Sequence, residues 1–130
     1  MAVSDYLAGK LVTTVPIGAG VDGAAYDPVA HDVFTSNADG TLSVIHQDSA
    51  DDYHAVETVA TPTGSRNLGF DRTTRRLYLP SAKFGPRPDS SVANPRRRPL
   101  MIAGSFSLLV VERAAQSPAQ KPDLPAAGRW

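Results

Sequence analysis

The stretch that decides the fold is residues 21–46, VDGAAYDPVAHDVFTSNADGTLSVIH. Two short segments within it, 32–36 and 41–46, are rich in β-branched and aromatic residues and flank Asn-Ala-Asp-Gly at 37–40. Asparagine and glycine tolerate the positive φ angles of a tight turn. The pattern therefore predicts a β-hairpin with its turn at 37–40.

Further strand signals lie on both sides of this hairpin. Short runs rich in β-branched residues are bounded by prolines and glycines, which end strands. No segment shows the apolar periodicity of an amphipathic helix, so the predicted fold class is all-β. The additional expected strands are 10–15, 21–27, 54–61, 65–71, 76–82 and 105–113.

The chain contains an internal repeat. Shifting it by 44 residues places 23–27 on 67–71 and 32–34 on 76–78, so that an aromatic-Asp pair recurs before a polar turn. A period near 44 residues with four short strands lies in the range of propeller blades. The repeat predicts equivalent burial of Tyr26 and Phe70, and matching turns at Asp27 and Asp71.

Length and composition bound the possible functions. The 130 residues make about one domain, 42% hydrophobic and 20% charged, without cysteine and with no apolar run long enough to span a membrane. A net charge of zero conceals a division, because residues 1–64 carry one cation against nine acids and 65–130 carry twelve cations against four acids. Such halves suit two surfaces that attract each other.

These residues resemble the C-terminal blades of YVTN-repeat β-propellers over about 10–113. The resemblance rests on Tyr-Asp-Pro at 26–28, Ser-Asn at 36–37, Asp-Gly-Thr-Leu-Ser-Val at 39–44 and Arg-Leu-Tyr-Leu-Pro at 76–80. It implies antiparallel β-propeller blades, about one and three quarters of them, after an N-terminal lead at 1–9. The expected blade copies lie near 21–61 and 65–113, with a Pro/Arg-rich insertion at 83–104 and a disordered tail at 114–130.

The resemblance also points to a binding site, because the innermost strands of such propellers line a channel. The positions nearest the channel mouth are Asp22 in one blade and Arg66 and Asn67 in the next. An aspartate and an arginine there can hold a polar ligand through charge-assisted hydrogen bonds, or they can cap turns and pair with each other. No catalytic residue, metal ligand or cofactor is predicted.

Two other clusters are candidate sites. His46 and His54 flank the acidic loop at 48–52, a workable zinc or copper set, but solvated turn residues are the favoured interpretation. Arg-Arg-Arg at 96–98 can contact phosphates, yet it lacks interleaved aromatics, so a solvated loop is favoured over a nucleic-acid site.

The function expected from the resemblance is a non-enzymatic scaffold that binds a protein or a small polar ligand, from a truncated member of the family. The opposite charges of the two halves favour head-to-tail association of copies, to which 10–15 can supply the missing blade strand. Two alternatives stay open: a fragment of a propeller lactonase-like hydrolase, and a gene remnant with no independent function. The family is often exported in bacteria, but residues 1–10 show no export signal, so the compartment stays open.

Overall fold

The computed structural model describes residues 1–65, 67–89 and 98–114. Within them every regular element is a β-strand, and all strand pairs are antiparallel, so the all-β prediction is confirmed. No helix of these residues is long and apolar enough to cross a membrane. The strands are β1 Ala2–Asp5, β2 Lys10–Thr14, β3 Val21–Asp27, β4 Asp32–Asn37, β5 Thr41–Gln47, β6 Tyr53–Ala60, β7 Gly69–Asp71, β8 Arg76–Ser81 and β9 Ser107–Val111.

The strands form three sheets in chain order. β1 and β2 make a two-stranded hairpin, β3-β4-β5-β6 make a four-stranded meander that we call the first sheet, and β7-β8-β9 make a three-stranded second sheet. The predicted hairpin turn joins β4 to β5, and Gly40 there has a φ of 88°, which a glycine adopts without a steric cost. The meander of the first sheet follows from short connections, which pair strands that are consecutive in the chain, whereas β8 and β9 pair across a long connection at 82–106.

Three strands differ from the sequence predictions by more than one residue. The N-terminal lead contains a strand, β1, which its polar sequence AVSD did not signal and which forms only because β2 pairs with it. β7 is limited to three residues, and β9 begins at Ser107 rather than 105. The tail from 115 onward and residues 90–97 of the insertion lie outside the described residues.

The ends of the predicted insertion extend the β8–β9 hairpin. Phe84 and Met101 form an isolated antiparallel bridge, and the backbone N–H of Ile102 donates to the carbonyl of Lys83 at 2.9 Å. The Ser105 hydroxyl bonds the same Lys83 carbonyl and the Ile102 carbonyl. These described ends are therefore paired backbone, which proline-rich composition did not predict.

The hydrophobic core lies between the first and second sheets. Leu42 of β5 packs with Leu77 and Leu79 of β8, and all three are buried. Phe34 and Phe70 extend this cluster with ring centroids 5.8 Å apart. β7 contacts β3, so the sheets meet along their first strands as well as through the core. Partly buried residues that complete the cluster are Ala25, Val59, Leu68, Leu109 and Val111.

Candidate functional site

The repeat predicted from the sequence has a matching geometry in two turns. Asp27 accepts hydrogen bonds from the backbone N–H groups of Val29 and Ala30, and Asp71 accepts one from the N–H of Thr73. The turns end at His31 and Arg75, 44 residues apart, which are the two described non-glycine residues with positive φ, 59° and 56°. The prediction of matching turns at Asp27 and Asp71 is confirmed.

Pairing across β4–β5 and β8–β9 extends this correspondence along the sheets. Val33 pairs with Ile45, and Leu77, 44 residues after Val33, pairs with Val111. Position 45 in β5 therefore corresponds to position 111 in β9. By the same offset, Leu42 corresponds to Leu108. The second sheet is thus a three-stranded counterpart of β3-β4-β5, with an insertion between its second and third strands.

Charged pairs cross between the two sheets at buried carboxylates. Asp27 is 3% exposed and receives Nε of Arg75 at 2.8 Å and its Nη2 at 2.7 Å. Asp32 is 2% exposed and receives Nη2 of Arg113 at 2.7 Å. Both carboxylates belong to the acidic half of the chain and both arginines to the basic half. The charge division therefore serves, at least here, to join the two sheets.

Several hydrogen bonds hold Asp27 in its charged form. Burial alone raises its pKa, but the N–H of Val29, the guanidinium of Arg75 and the N–H of Ala30 together lower the pKa of this carboxyl below its ordinary value. The N–H groups of this turn thus favour the charged form of Asp27, which is the form that binds the Arg75 guanidinium of the other sheet.

The prediction that Tyr26 and Phe70 are equally buried is wrong. Phe70 is partly buried against Phe34, whereas Tyr26 is 39% exposed and its hydroxyl donates to Gln47. Phe70 faces the first sheet, and Tyr26 lies on the opposite face of the first sheet, since Ala25 packs in the core and successive side chains alternate. No sheet of the described residues covers the ring of Tyr26 in the way that the first sheet covers Phe70.

The predicted channel-mouth residues lie in three different situations. Asp22 is exposed in β3 at a bulge between Val21 and Gly23, and it takes part in an interaction. Asn67 is exposed just before β7, at the position that corresponds to Gly23. Arg66 lies outside the described residues, so the grouping of these residues around a ligand stays a prediction.

The two histidines considered as metal ligands are direct cross-strand partners. His46 of β5 pairs with His54 of β6, and their rings are edge to face with centroids 5.8 Å apart. Nδ1 of His46 lies 2.8 Å from Asp32, and Nδ1 of His54 bonds Asp48. Zinc takes four ligands. The described residues contain no group of three or more histidine, cysteine, aspartate or glutamate side chains able to hold a metal ion.

A charge-reversed pair occupies the corresponding place in the second sheet. Arg76 corresponds to Asp32, Glu112 corresponds to His46, and Nε of Arg76 donates to Glu112 at 2.7 Å. Both residues of this pair are exposed. His46 and Asp32 thus occupy a recurring position for a hydrogen-bonded acid–base pair across two strands, a structural role that sequence reasoning about metal ligands missed.

The second sheet's outer surface is covered by no other sheet of the described residues. Leu77, Leu79 and Leu109 point to the core, so the alternating residues point away from the first sheet. Leu108 and Val110 there are 52% and 53% exposed. We call this surface, formed by Tyr78, Pro80, Leu108 and Val110, the open face.

The open face continues into an open edge and an apolar hairpin. β9 pairs with β8 on one side, and no strand within residues 1–65, 67–89 and 98–114 pairs with its other side. Next to it lie five more exposed hydrophobic residues, Phe84, Leu100, Met101, Ile102 and Phe106. Contiguous apolar surface and an unpaired strand edge mark interaction sites in soluble proteins. This combination makes the second sheet the candidate functional site.

Comparison of the chain with protein-family models, with curated proteins and with solved structures found no match.

Proposed function

We propose that residues 10–113 form blades of a YVTN-type β-propeller and act as a non-enzymatic protein-interaction scaffold. The binding surface is the open face together with the outer edge of β9. The partner presents an extended strand that adds to β9 and places apolar side chains on the open face. This is β-augmentation, in which the ladder of main-chain hydrogen bonds contributes affinity and side-chain pockets contribute specificity.

The exposure of Leu108 carries this proposal. Its counterpart Leu42 is completely buried, packed against the second sheet and flanked by β6, whereas Leu108 is 52% exposed and has no such neighbours among the described residues. The same position is therefore buried in the first sheet and half exposed in the second. We infer that a binding partner covers Leu108 as the second sheet covers Leu42.

Two observations support the propeller arrangement. The first and second sheets stack face to face through the leucine cluster, and their first strands, β3 and β7, are in contact. Propeller blades stack in this way around a central axis lined by their first strands. A polar ligand near Asp22, Arg66 and Asn67 belongs to the same proposal, but the apolar open face favours a protein partner.

A strand peptide tests the scaffold directly. The probe is a fluorescent peptide with the sequence of residues 52–61, which contains β6, the strand that pairs with β5 in the first sheet. In the β5–β6 register Val59 lies opposite Leu42, so the peptide residue that corresponds to Val59 is expected opposite Leu108. We expect saturable binding by fluorescence anisotropy, weakened at least about tenfold by Leu108→Asp.

Controls separate this binding from general stickiness. Leu7→Asp replaces a leucine that is 82% exposed at the tip of the β1–β2 hairpin, away from the open face, and should leave peptide binding unchanged. A peptide with Asp at the position of Val59 should bind weakly. Equal binding of a scrambled peptide, or equal loss with Leu7→Asp and Leu108→Asp, would contradict the proposed function.

A further inference from the structure

We infer that the partner of the open face is a second copy of this chain, bound head to tail through its N-terminal face. This inference rests on the proposed function and names its partner. The N-terminal face is the exposed part of the first-sheet surface that is turned away from the second sheet, formed by Val21, Ala24 and Tyr26 of β3 together with His31 in the adjoining turn. The rest of that surface, with Ser43 and Ile45 of β5, is already buried within the chain. Val21 is 48% exposed and Tyr26 is 39% exposed.

The interface inside the chain is the template for the interface between copies. Inside the chain, Phe34 of the first sheet packs on Phe70 of the second, and Asp27 binds Arg75. The residue that corresponds to Phe34 is Tyr78, which lies on the open face, and the residue that corresponds to Asp27 is Asp71. The second sheet thus carries counterparts of the residues with which the first sheet contacts it inside the chain.

The other half of that interface lies on the N-terminal face. Tyr26 corresponds to Phe70, and His31 corresponds to Arg75 with nearly the same φ. Repeating the internal contacts between copies therefore pairs Tyr78 with the Tyr26 of a second copy. It also pairs Asp71 with that copy's His31. The first contact is again between two aromatic rings, and the second is again between an acid and a base.

Strand pairing between copies involves β2. β2 precedes β3 in the chain as β6, the fourth strand of the first sheet, precedes β7. β2 is therefore equivalent to the fourth strand of a sheet, and β1, which pairs with it, is equivalent to the third strand. β9 is also a third strand, and an incoming copy's β9 therefore competes with β1 for the edge of β2. β1 is a weak competitor, since it has four residues, three of them exposed, and a register shift between Val3 and Ser4.

The charge of the two halves favours this orientation. Residues 1–64 carry one cation against nine acids, and residues 65–130 carry twelve cations against four acids. Head-to-tail contact places the basic half of one copy beside the acidic half of the next, whereas head-to-head contact places like charges together. Complementary potentials of this kind speed association and suppress the wrong orientation.

A head-to-tail interface either closes into a ring or grows into a filament. Each copy contributes two sheets when its second sheet is completed by β2 of the next copy. Propellers close with about four to eight blades. Two to four copies therefore satisfy closure, and the expected mass is two to four times the 13.8 kDa of the chain.

Light scattering and sedimentation velocity of the full chain over a wide range of concentration test this inference. We expect a closed oligomer of two to four chains. Leu108→Asp on the open face and Tyr26→Asp on the N-terminal face should each yield a folded monomer, verified by circular dichroism. Leu7→Asp, at the exposed hairpin tip, should assemble as the parent does.

Mixing the two monomeric variants gives the sharpest result. Leu108→Asp retains its N-terminal face and Tyr26→Asp retains its open face, so the mixture should form a 1:1 dimer and nothing larger. His31→Arg, which copies the residue found at Arg75, should tighten assembly by about threefold or more, because a guanidinium binds a carboxylate in two places.

The outcomes separate the inference from the proposed function. A parent chain that stays monomeric at all concentrations while the 52–61 peptide binds its open face overturns the second copy as partner and leaves the scaffold intact. Absence of both assembly and peptide binding overturns both. Assembly that survives Leu108→Asp, or a mixture of the two variants that stays monomeric, also overturns the inference.

Discussion

The first and second sheets are built on the same pattern and differ in what surrounds them. Leu42 in the first sheet has no exposed surface, because the second sheet covers it and β6 flanks its strand. Leu108, at the corresponding place in the second sheet, is 52% exposed. The comparison teaches that burial in this chain depends on the neighbouring sheet and not on the residue type. In the proposed scaffold, the open face is therefore the surface that a partner resembling the first sheet would cover.

The charged residues follow the same rule. Asp27 is buried with Arg75 across the inter-sheet boundary, whereas its counterpart Asp71 bonds only within its own turn among the described contacts, to Thr73 and Thr74. The pKa of Asp71 is lowered by the Thr74 hydroxyl and by the Thr73 N–H. Both aspartates order a turn, and Asp27 also binds the second sheet through Arg75.

The largest expected effect separates the two leucines. Leu42→Ala removes a fully buried side chain and should lower the free energy of unfolding by about 2–5 kcal/mol. Leu108→Ala, measured at a dilution where the chain is monomeric, should change it by no more than about 0.5 kcal/mol. Chemical denaturation of both variants tests the difference, and equal losses would mean that Leu108 is covered within the single chain.

The aromatic pair gives the next largest difference. Phe70→Ala removes the ring that packs on Phe34 and should cost about 3 kcal/mol, the lower end for a phenylalanine, because Phe70 is only partly buried. Tyr26→Ala at the corresponding position should cost less, since that ring is 39% exposed. Thermal or urea unfolding checks the order, and a larger loss for Tyr26→Ala would contradict the assigned faces.

A glycine contrast tests how the N-terminal segment lies against the first sheet. The N–H of Gly18 donates to the Ser43 hydroxyl, and a Cβ at Gly18 would come within 2.2 Å of Thr41 Oγ1. Gly18→Ala should therefore destabilise the fold by about 1–3 kcal/mol. Gly69→Ala in β7 is the matched control, because nothing lies within 4 Å of its Cβ position. Similar unfolding midpoints for the two variants would place the segment away from the sheet.

The smallest predicted effect concerns pH. Because the pKa of Asp27 is lower in the folded chain than in the unfolded chain, its stabilising contribution is present above its unfolded pKa, about 3.9, and is lost as the pH falls through the lower folded value. Asp27→Asn should cost about 1–2 kcal/mol at neutral pH and flatten the loss of stability below about pH 4. Urea unfolding from pH 3 to 7 measures both effects. Asp71→Asn is the comparison variant: the pKa of Asp71 is also lowered, but among the described contacts its carboxylate bonds only within its own turn, so the cost at neutral pH should be smaller than for Asp27→Asn.

Local sequence signals predicted much of this fold. The turn at 37–40 and the Asp27 and Asp71 turns depend on residues within a few positions of each other, so β3, β4 and β5 fall where the pattern places them. β1 escaped prediction because AVSD has weak strand character and gains its structure from pairing with β2.

Long-range contacts could not be assigned from the sequence. The partners of Asp27 and Asp32, Arg75 and Arg113, lie 48 and 81 residues away, and only the charge division between the halves hinted at them. The exposure of Tyr26 could not be predicted either, because the repeat implies the same fold for both copies but says nothing about what covers each one.

Residue-resolved amide hydrogen exchange in β5 and β9 of the dilute monomer tests the central claim most directly. The claim is that β9 is the counterpart of β5 with one edge unpaired. We predict slow exchange along all of β5, which has a partner strand on each side, and fast exchange at those β9 amides that do not bond to β8. Uniformly slow exchange along β9 in the dilute chain would contradict the account, because it would mean that the edge is already occupied.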